Sequence, residues 1–472
     1  MESGNSSERD NISIIEDQIR GAIEQVESII AGKTSIKNAA ELEAIEKEII
    51  KATDYLAGLI IAQKVQQALD SPEVQQESRE LIDALPKKMK NQGQREVEIQ
   101  PSRGEAIKVK TSYYTQKSKK NKLKKQNGLY PGLFLLGIHD HCTPLLASEV
   151  SAMATILSSF QEARQVLKDR GLEIDIKTIS TITQRYAQRA KIARRDADDC
   201  FHETVAGCRV VVSPDGGRIR IRRDKRGPKT KKGRTRYSGD WREPKLLIIY
   251  TVNEKGELDR TFTPFIDGTM EGPDAIFGLI EYYLKNLNIG QADKILFIAD
   301  GARWIWVRVK NLVKSLGLSS AQLYELVDYY HAVEHLTKVA ELQNKWKPAE
   351  KKRWIKKNRS LLFKGKIATI IEEIRKMCKG RRSKKLRTEL NYFITNSIRM
   401  CYEKISSLKL PIGSGAIESA VRRVINLRLK GASIFWHEET AEAMLLLRSY
   451  YKAGRWSILN KLAFSVHPAL AI

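Results

Sequence analysis

From residue 207 onward the spacing of apolar residues changes, and this change constrains the fold more than any other feature of the chain. Upstream, apolar residues recur at helical spacing; downstream, they gather into short unbroken runs bounded by turn formers. Such runs are expected of strands buried on both faces. CRVVVS and RIRIRRD read as two strands around a turn at 214–217, and KLLIIYTV (245–252) as a third. KILFIA (294–299) reads as a fourth strand and LYELVDYY as a fifth, with helices at about 273–287, from Ala302, and after the fifth strand. The order β-β-β-α-β-α-β-α predicts an α/β fold. Its core is a mixed sheet whose first three strands meander and whose later strands alternate with helices.

The flanks divide the remaining chain. Residues 1–90 form a helical arm in which Ile12, Ile15, Ile19, Ile23, Val26 and Ile30 share one face. Oligomerisation, regulation, or packing as a plain hairpin on the body all fit it. Residues 91–144 open with alternating apolar and polar positions, REVEIQ and EAIKVKTSYY, around a turn at 101–104. That is a β-hairpin signal. The lysine-rich linker KSKKNKLKKQNG follows, with Lys119, Lys120 and Lys124 as candidate phosphate contacts. In 145–200 a short helix, a break at Gly171 and a second helix after Asp175 match a helix-turn-helix, or equally a helical bundle. The strand-rich core is expected over 201–340. An all-helical insertion rich in Lys and Arg is expected over 341–408, and the last helices of the core over 409–472.

The chain carries a net charge of +26, unevenly placed. Residues 1–86 hold about 17 acids and about 8 bases by direct count, roughly −9, so the rest is about +35. A surface that positive calls for a polyanion, and nucleic acid fits better than an anionic membrane because no strongly basic amphipathic helix stands out. Five cysteines without a CxxC pair do not suit a disulfide scaffold. Cys200, His202 and Cys208 lie close in sequence, but a zinc site there lacks an identifiable fourth ligand. With no signal-like start and no apolar run of spanning length, a cytoplasmic, nucleoid-associated location is expected.

Three acids stand in framed contexts. Asp215 follows the first strand run and precedes Gly216-Gly217. Asp300 ends KILFIA before Gly301, and Glu418 opens a helix after Gly413-Ser414-Gly415. Strand ends of α/β sheets are where functional side chains collect, and the glycines are expected to leave room for a metal or a phosphate. Three carboxylates suffice for Mg²⁺, with Mn²⁺ as a substitute, because the ion keeps waters and phosphate oxygens in its shell. Two such ions about 4 Å apart would activate an attacking oxygen and stabilise a leaving one. Asp267 competes for the first or second position; Glu334, Glu438 and Glu442 compete with Glu418. His331 is a candidate for orienting a phosphate or a water, with Asp328 behind it; a structural pair with His335 is the alternative.

Residues 218–236 hold about eleven bases and one acid, Asp224. Arg218, Arg220, Arg222, Arg223, Lys225, Arg226, Lys231 and Lys232 are expected to hold a DNA backbone beside Asp215. Trp304, Trp306 and Trp436 are candidates for stacking on an unpaired base, Trp304 first among them.

Several motifs taken together resemble insertion-sequence transposases of the ISKra type, kin of the Mutator-like DDE transposases. They are DGARWIW (300–306), DYYHAVEHL (328–336), GSGAIESAVRRVINLRLKGASIFW (413–436) and EETAEAMLLLRSYYKAGRW (438–456), with REPKLL (242–247) and FIDGT (265–269) as further landmarks. The resemblance covers about 130–456. It implies an RNase H-like catalytic core with an all-helical insertion, and an acidic triad on Asp215, Asp300 and Glu418. It also implies a Cys/Asp-x-x-His signature on Asp328 and His331, DNA ends as substrate, and action as at least a homodimer. Relatives often carry a CxxC-containing element after the tyrosine pair that aligns with Tyr113-Tyr114; here KSKKNKLKK stands in its place. A zinc ribbon is therefore not expected, and charge would take over end recognition.

Overall fold

The computed structural model describes residues 4–32, 35–116, 128–195, 203–231, 233–379 and 383–465. Lys119, Lys120, Lys124, Lys232, Cys200 and His202 lie outside the described residues. The chain divides into two compact units: residues 1–197 with 457–472, and residues 198–456. Among the described residues no helix is long and apolar enough to cross a membrane.

In the first unit, helices α1 (Gly4–Ala31) and α2 (Ala39–Asp70) pack together, followed by α3 (Pro72–Ala84). Asn38 caps α2 by accepting the Glu41 N–H at 3.0 Å, and Ser71 caps α3 through Val74. The hairpin expected from alternation is present as antiparallel β1 (Met89–Ile99) and β2 (Ile107–Gln116), extended by the short β3 (Gly128–Leu129). Its alternation is that of a half-buried sheet: Val97, Ile99, Ile107 and Val109 join Leu69 in the core, while Glu96, Glu98 and Lys108 stay exposed. After α4 (Pro131–Leu135) come α5 (Pro144–Ile156), α6 (Phe160–Asp169) and α7 (Ile176–Arg195). The stretch expected as two helices is thus three. Ser159 starts α6 by accepting the Glu162 N–H at 3.0 Å, which splits the first segment at Leu157–Ser158. Ser457 onward in the helix Trp456–Phe464 belongs to this unit: Asn460 accepts from Ser148 at 2.8 Å and from the Tyr186 hydroxyl.

The second unit is built on a five-stranded mixed sheet. Its strands are β4 (Arg209–Gly216), β7 (Lys245–Val252), β8 (Phe265–Thr269), β9 (Lys294–Ala299) and β10 (Leu323–Val327), in the order β10-β9-β4-β7-β8. β4, β7 and β8 are antiparallel neighbours; β9 and β10 run parallel to β4. All eight residues of β7 are buried, as its unbroken apolar run requires. The meander differs from the expected one. RIRIRRD is not its second strand: β5 (Ile219–Asp224) pairs with β6 (Tyr237–Arg242) in a separate two-stranded ribbon. Only Ile219 and Ile221 of β5 are buried, and its arginine face cannot enter a sheet covered on both sides. The third strand is FIDGT, five residues whose Asp and Gly hide its strand character.

Helices α8 (Pro273–Asn286), α9 (Arg303–Ser315) and α10 (Tyr329–Glu341) follow β8, β9 and β10. The helical insertion expected over 341–408 comprises α11 (Pro348–Phe363), α12 (Ile367–Cys378), α13 (Lys384–Asn396) and α14 (Tyr402–Ser407); α11 and α13 pack on α10. The chain then returns to the sheet through α15 (Gly415–Val421), which packs on β4 and β7. A π-helical turn (Arg422–Asn426) leads to α16 (Glu438–Ala453), which packs on β8.

Candidate functional site

The sheet register brings two of the predicted acids level. Val212 pairs with Phe297 across parallel β4 and β9, so Asp215 and Asp300, each three residues further on, leave adjacent strands at the same height. Val327 pairs with Ala299, which puts Asp328 beside Asp300 at the end of the third parallel strand. The C-terminal edge of these three strands therefore carries three aspartates side by side.

Each has a distinct environment. Asp215 is largely buried and accepts the Gly216 N–H at 2.7 Å. Burial pushes its pKa up to about 6; the Gly216 hydrogen bond opposes this, the nearby charge of Asp300 adds to it, the His331 ring opposes it and Glu243 adds again. Asp300 accepts the Ala302 N–H at 2.9 Å, and its carbonyl oxygen accepts from Trp306 Nε1 at 2.8 Å, which fixes the turn into α9. Asp328 is fully buried, with both oxygens hydrogen-bonded to backbone. One oxygen caps α10 by accepting the His331 N–H at 2.8 Å; the other accepts the Ser414 N–H at the entry to α15. A single carboxylate thus locks the helix that carries His331 to the loop that delivers Glu418, and Tyr329 reinforces the joint by donating to the Ile412 carbonyl at 3.0 Å. His331 Nε2 lies 3.8 Å from Glu418 Oε1, and His331 Nδ1 lies 3.7 Å from Glu334.

Asp215 therefore lies near Asp300 and His331, and His331 in turn meets Glu418, although these residues stand about 200 apart in sequence at the extremes. Neither Asp215 nor Asp300 forms an ion pair with a lysine or arginine of the described residues, in a chain with 82 such residues. Among the described residues no three or more His, Cys, Asp and Glu side chains close around a common point as a finished metal site. The donor chemistry nonetheless suits a hard divalent cation: oxygen ligands, with the charge of Asp300 adding to the raised proton affinity of Asp215.

Three of the four competing acids are otherwise employed; Glu334 stays exposed beside His331. Asp267 is fully buried and accepts from the Tyr283 hydroxyl at 2.6 Å and from the Gly268 N–H at 2.7 Å. Glu442 ties α16 to the end of β8 through Thr269 at 3.1 Å and Met270 at 2.5 Å, and Glu438 pairs with Arg242 at 2.8 Å. His335, four residues from His331, is a structural residue: its ring stacks on Tyr392 of the insertion at 3.5 Å and its Nδ1 lies 2.5 Å from Glu389.

Glycines beside Asp215 and Asp300 stand where side chains pack closely, whereas Gly415 before Glu418 faces open space. A Cβ on Gly216 would collide with Glu243, one on Gly217 would lie 2.6 Å from Ile425, and one on Gly301 would collide with Tyr392. Of the three candidate tryptophans, two are packed away and Trp304 is half-buried. Trp306 and Trp436 are buried, and their Nε1 atoms donate to the carbonyls of Asp300 and Leu429. Trp304 carries the Lys245 ammonium 4.1 Å from its ring centre and meets Phe277 edge-on. Sequence reasoning missed Glu243 and Lys245, which pair at 2.5 Å beside Asp215. Their signals were the REPKLL landmark and a position at the start of a buried strand. Arg218, Arg223, Lys225, Arg226 and Lys231 are exposed, and Arg220 and Arg222 half-buried, on the ribbon that leaves β4 directly after Asp215.

No protein-family model matches the chain, and no curated protein matches it.

Proposed function

We propose that this protein is a DDE-type transposase that cleaves and joins DNA at the ends of an insertion sequence. One observation carries the reading. In a strongly basic chain, Asp215 and Asp300 stand level at adjacent strand ends, the charge of Asp300 helps raise the pKa of the buried Asp215, and neither forms an ion pair with a lysine or arginine of the described residues. Two such carboxylates, with Glu418 beside His331 at their margin, suit Mg²⁺ or Mn²⁺. A divalent cation bound there supplies Lewis acidity at a phosphate oxygen and a lowered pKa for water.

The chain's own groups do the rest. Asp215, Asp300 and Glu418 would provide the negative oxygens, and Asp328 would hold His331 and Glu418 in register. His331, 3.8 Å from Glu418, would orient the scissile phosphate or the attacking oxygen. In the first step the oxygen of water forms a new bond to phosphorus and the element's 3′ oxygen leaves. In the second, that 3′-hydroxyl attacks a target phosphodiester, so one P–O bond forms as another breaks. The sheet supports an RNase H-like reading: three antiparallel strands, then two parallel ones, in spatial order third-second-first-fourth-fifth, interrupted by a helical insertion before the last acid. Helices α5 to α7 suit end recognition as a helix-turn-helix unit, and cutting two ends in concert calls for two copies of the chain.

The test is cleavage and strand transfer on DNA carrying the element's ends, in Mg²⁺ or Mn²⁺. Wild type should cut and join, while Asp215→Ala, Asp300→Ala and Glu418→Gln bind but do neither. Cutting without joining would make the protein a nuclease, and binding without cutting a silent DNA-binding protein.

A further inference from the structure

The ribbon of β5 and β6 carries an unusual surface. In antiparallel pairing, residues directly opposite share a face, and here Arg220 faces Trp241, Arg222 faces Gly239 and Asp224 faces Tyr237. That face layers arginines on aromatic rings. Arg218 lies 4.7 Å from the Trp241 ring centre, Arg220 lies 5.3 Å from Trp241 and 5.2 Å from Phe435, and Arg222 lies 4.7 Å from Tyr237. Phe435 enters from the segment before α16 and meets Tyr237 edge-on at 5.3 Å. It fits because position 239 is glycine; a Cβ there would lie 2.9 Å from its ring. The opposite face buries Ile219 and Ile221, so the ribbon is anchored on one side and presents the layered side outward.

Two of these rings stay open to solvent: Trp241 is 45% exposed and Tyr237 is 43% exposed. Trp306 and Trp436 are buried and Trp304 is half-buried, so Trp241 stands out among these four tryptophans, and Tyr237 lies open on the same strand. They lie among three arginines, beside the exposed basic loop at 225–231, on a segment that starts four residues after Asp215. A ring with a π-face, a planar guanidinium and a surplus of positive charge is the combination that takes unpaired nucleotides: bases stack on rings or guanidinium planes while phosphates meet the charge. Duplex DNA hides its base faces and would use only the charge.

We infer that the Trp241–Tyr237 face of the ribbon is a stacking platform for unpaired nucleotides of the DNA strand led to Asp215 and Asp300. This rests on the DNA-transposase reading and adds to it a single-stranded segment as part of the substrate. The guanidiniums of Arg218, Arg220 and Arg222 supply phosphate contacts and further stacking planes.

The test is equilibrium binding of full-length protein in EDTA to a labelled oligothymidine and, separately, to a duplex of equal length, over a range of salt. Wild type should bind both. Trp241→Ala should weaken oligothymidine binding about tenfold or more, with an unchanged salt slope and duplex affinity held within about twofold. Trp241→Phe, which keeps an aromatic face, should restore most of the loss. Arg220→Gln should instead weaken both DNAs and flatten the salt slope. If Trp241→Ala binds oligothymidine like wild type, or loses both DNAs equally, the platform is overturned and the transposase reading stands. If Trp241→Phe is as weak as Trp241→Ala, ring stacking is likewise overturned. A wild type that binds neither DNA overturns the platform and the transposase reading together.

Discussion

Neutralising Asp215 should make the metal-free protein more stable at neutral pH. In the folded chain its pKa is raised from 3.8 to about 6, chiefly by burial. A shift of about two units corresponds to about 3 kcal/mol of unfavourable free energy once the carboxylate is ionised. The sign follows from linkage. The folded state binds the Asp215 proton more tightly than the unfolded chain does. Its favourable share is therefore complete below about pH 3.8 and is lost as pH rises through about 6. Asp215→Asn removes that titration and keeps an oxygen for the Gly216 N–H. The variant's stability relative to wild type should rise by about 2 kcal/mol between about pH 4.5 and pH 8, and level off above about pH 7. Urea unfolding in EDTA, followed by tryptophan fluorescence, reads this cleanly, because all seven tryptophans lie within residues 198–456. Mg²⁺ should then stabilise wild type, by about 2.7 kcal/mol at a hundredfold excess over its dissociation constant, and leave the variant nearly unmoved. A pH-independent difference, or a variant weaker than wild type throughout, would refute the reasoning.

Three further outcomes follow from the packing. Asp328→Ala should uncouple α10 from the α15 entry, costing about 3 kcal/mol or more in urea midpoints and removing strand cleavage; Asp328→Asn should fold better yet remain slow, since its single amide oxygen can accept only one of the His331 and Ser414 N–H groups. Gly301→Ala should cost about 1–3 kcal/mol by pushing Tyr392 off the Asp300 turn, and the double variant Gly301→Ala/Tyr392→Ala should cost less than the sum of its parts. Asp267→Asn should lower thermal stability through its Tyr283 bond yet leave Mn²⁺ affinity at wild-type level; lost Mn²⁺ affinity with an intact fold would return Asp267 to the site.

What the sequence made legible follows from burial. KLLIIYTV and KILFIA read as strands because they are covered on both faces and carry nothing polar inside. Asp215 and Asp300 stood out because each follows such a run, and the parallel register then sets them level. FIDGT escaped because in five residues a buried Asp satisfied by a distant tyrosine looks like a turn. RIRIR alternated correctly but belonged to a ribbon, since periodicity reports which face is buried and not which strand lies alongside. The glycines announced close approach without revealing what approaches, and the occupants came from Glu243, Ile425 and Tyr392. The twofold use of Asp328 also had no sequence signal, because its second partner lies 86 residues downstream.

The central claim, that Asp215, Asp300 and Glu418 together hold a divalent cation, is tested most directly by titrating the full-length protein with Mn²⁺ and counting bound ions by electron paramagnetic resonance at about pH 7.5. Wild type should bind saturably, and Asp215→Asn, Asp300→Asn and Glu418→Gln should each weaken binding about tenfold or more while remaining folded. Folded variants that bind Mn²⁺ with wild-type affinity and stoichiometry would contradict the account.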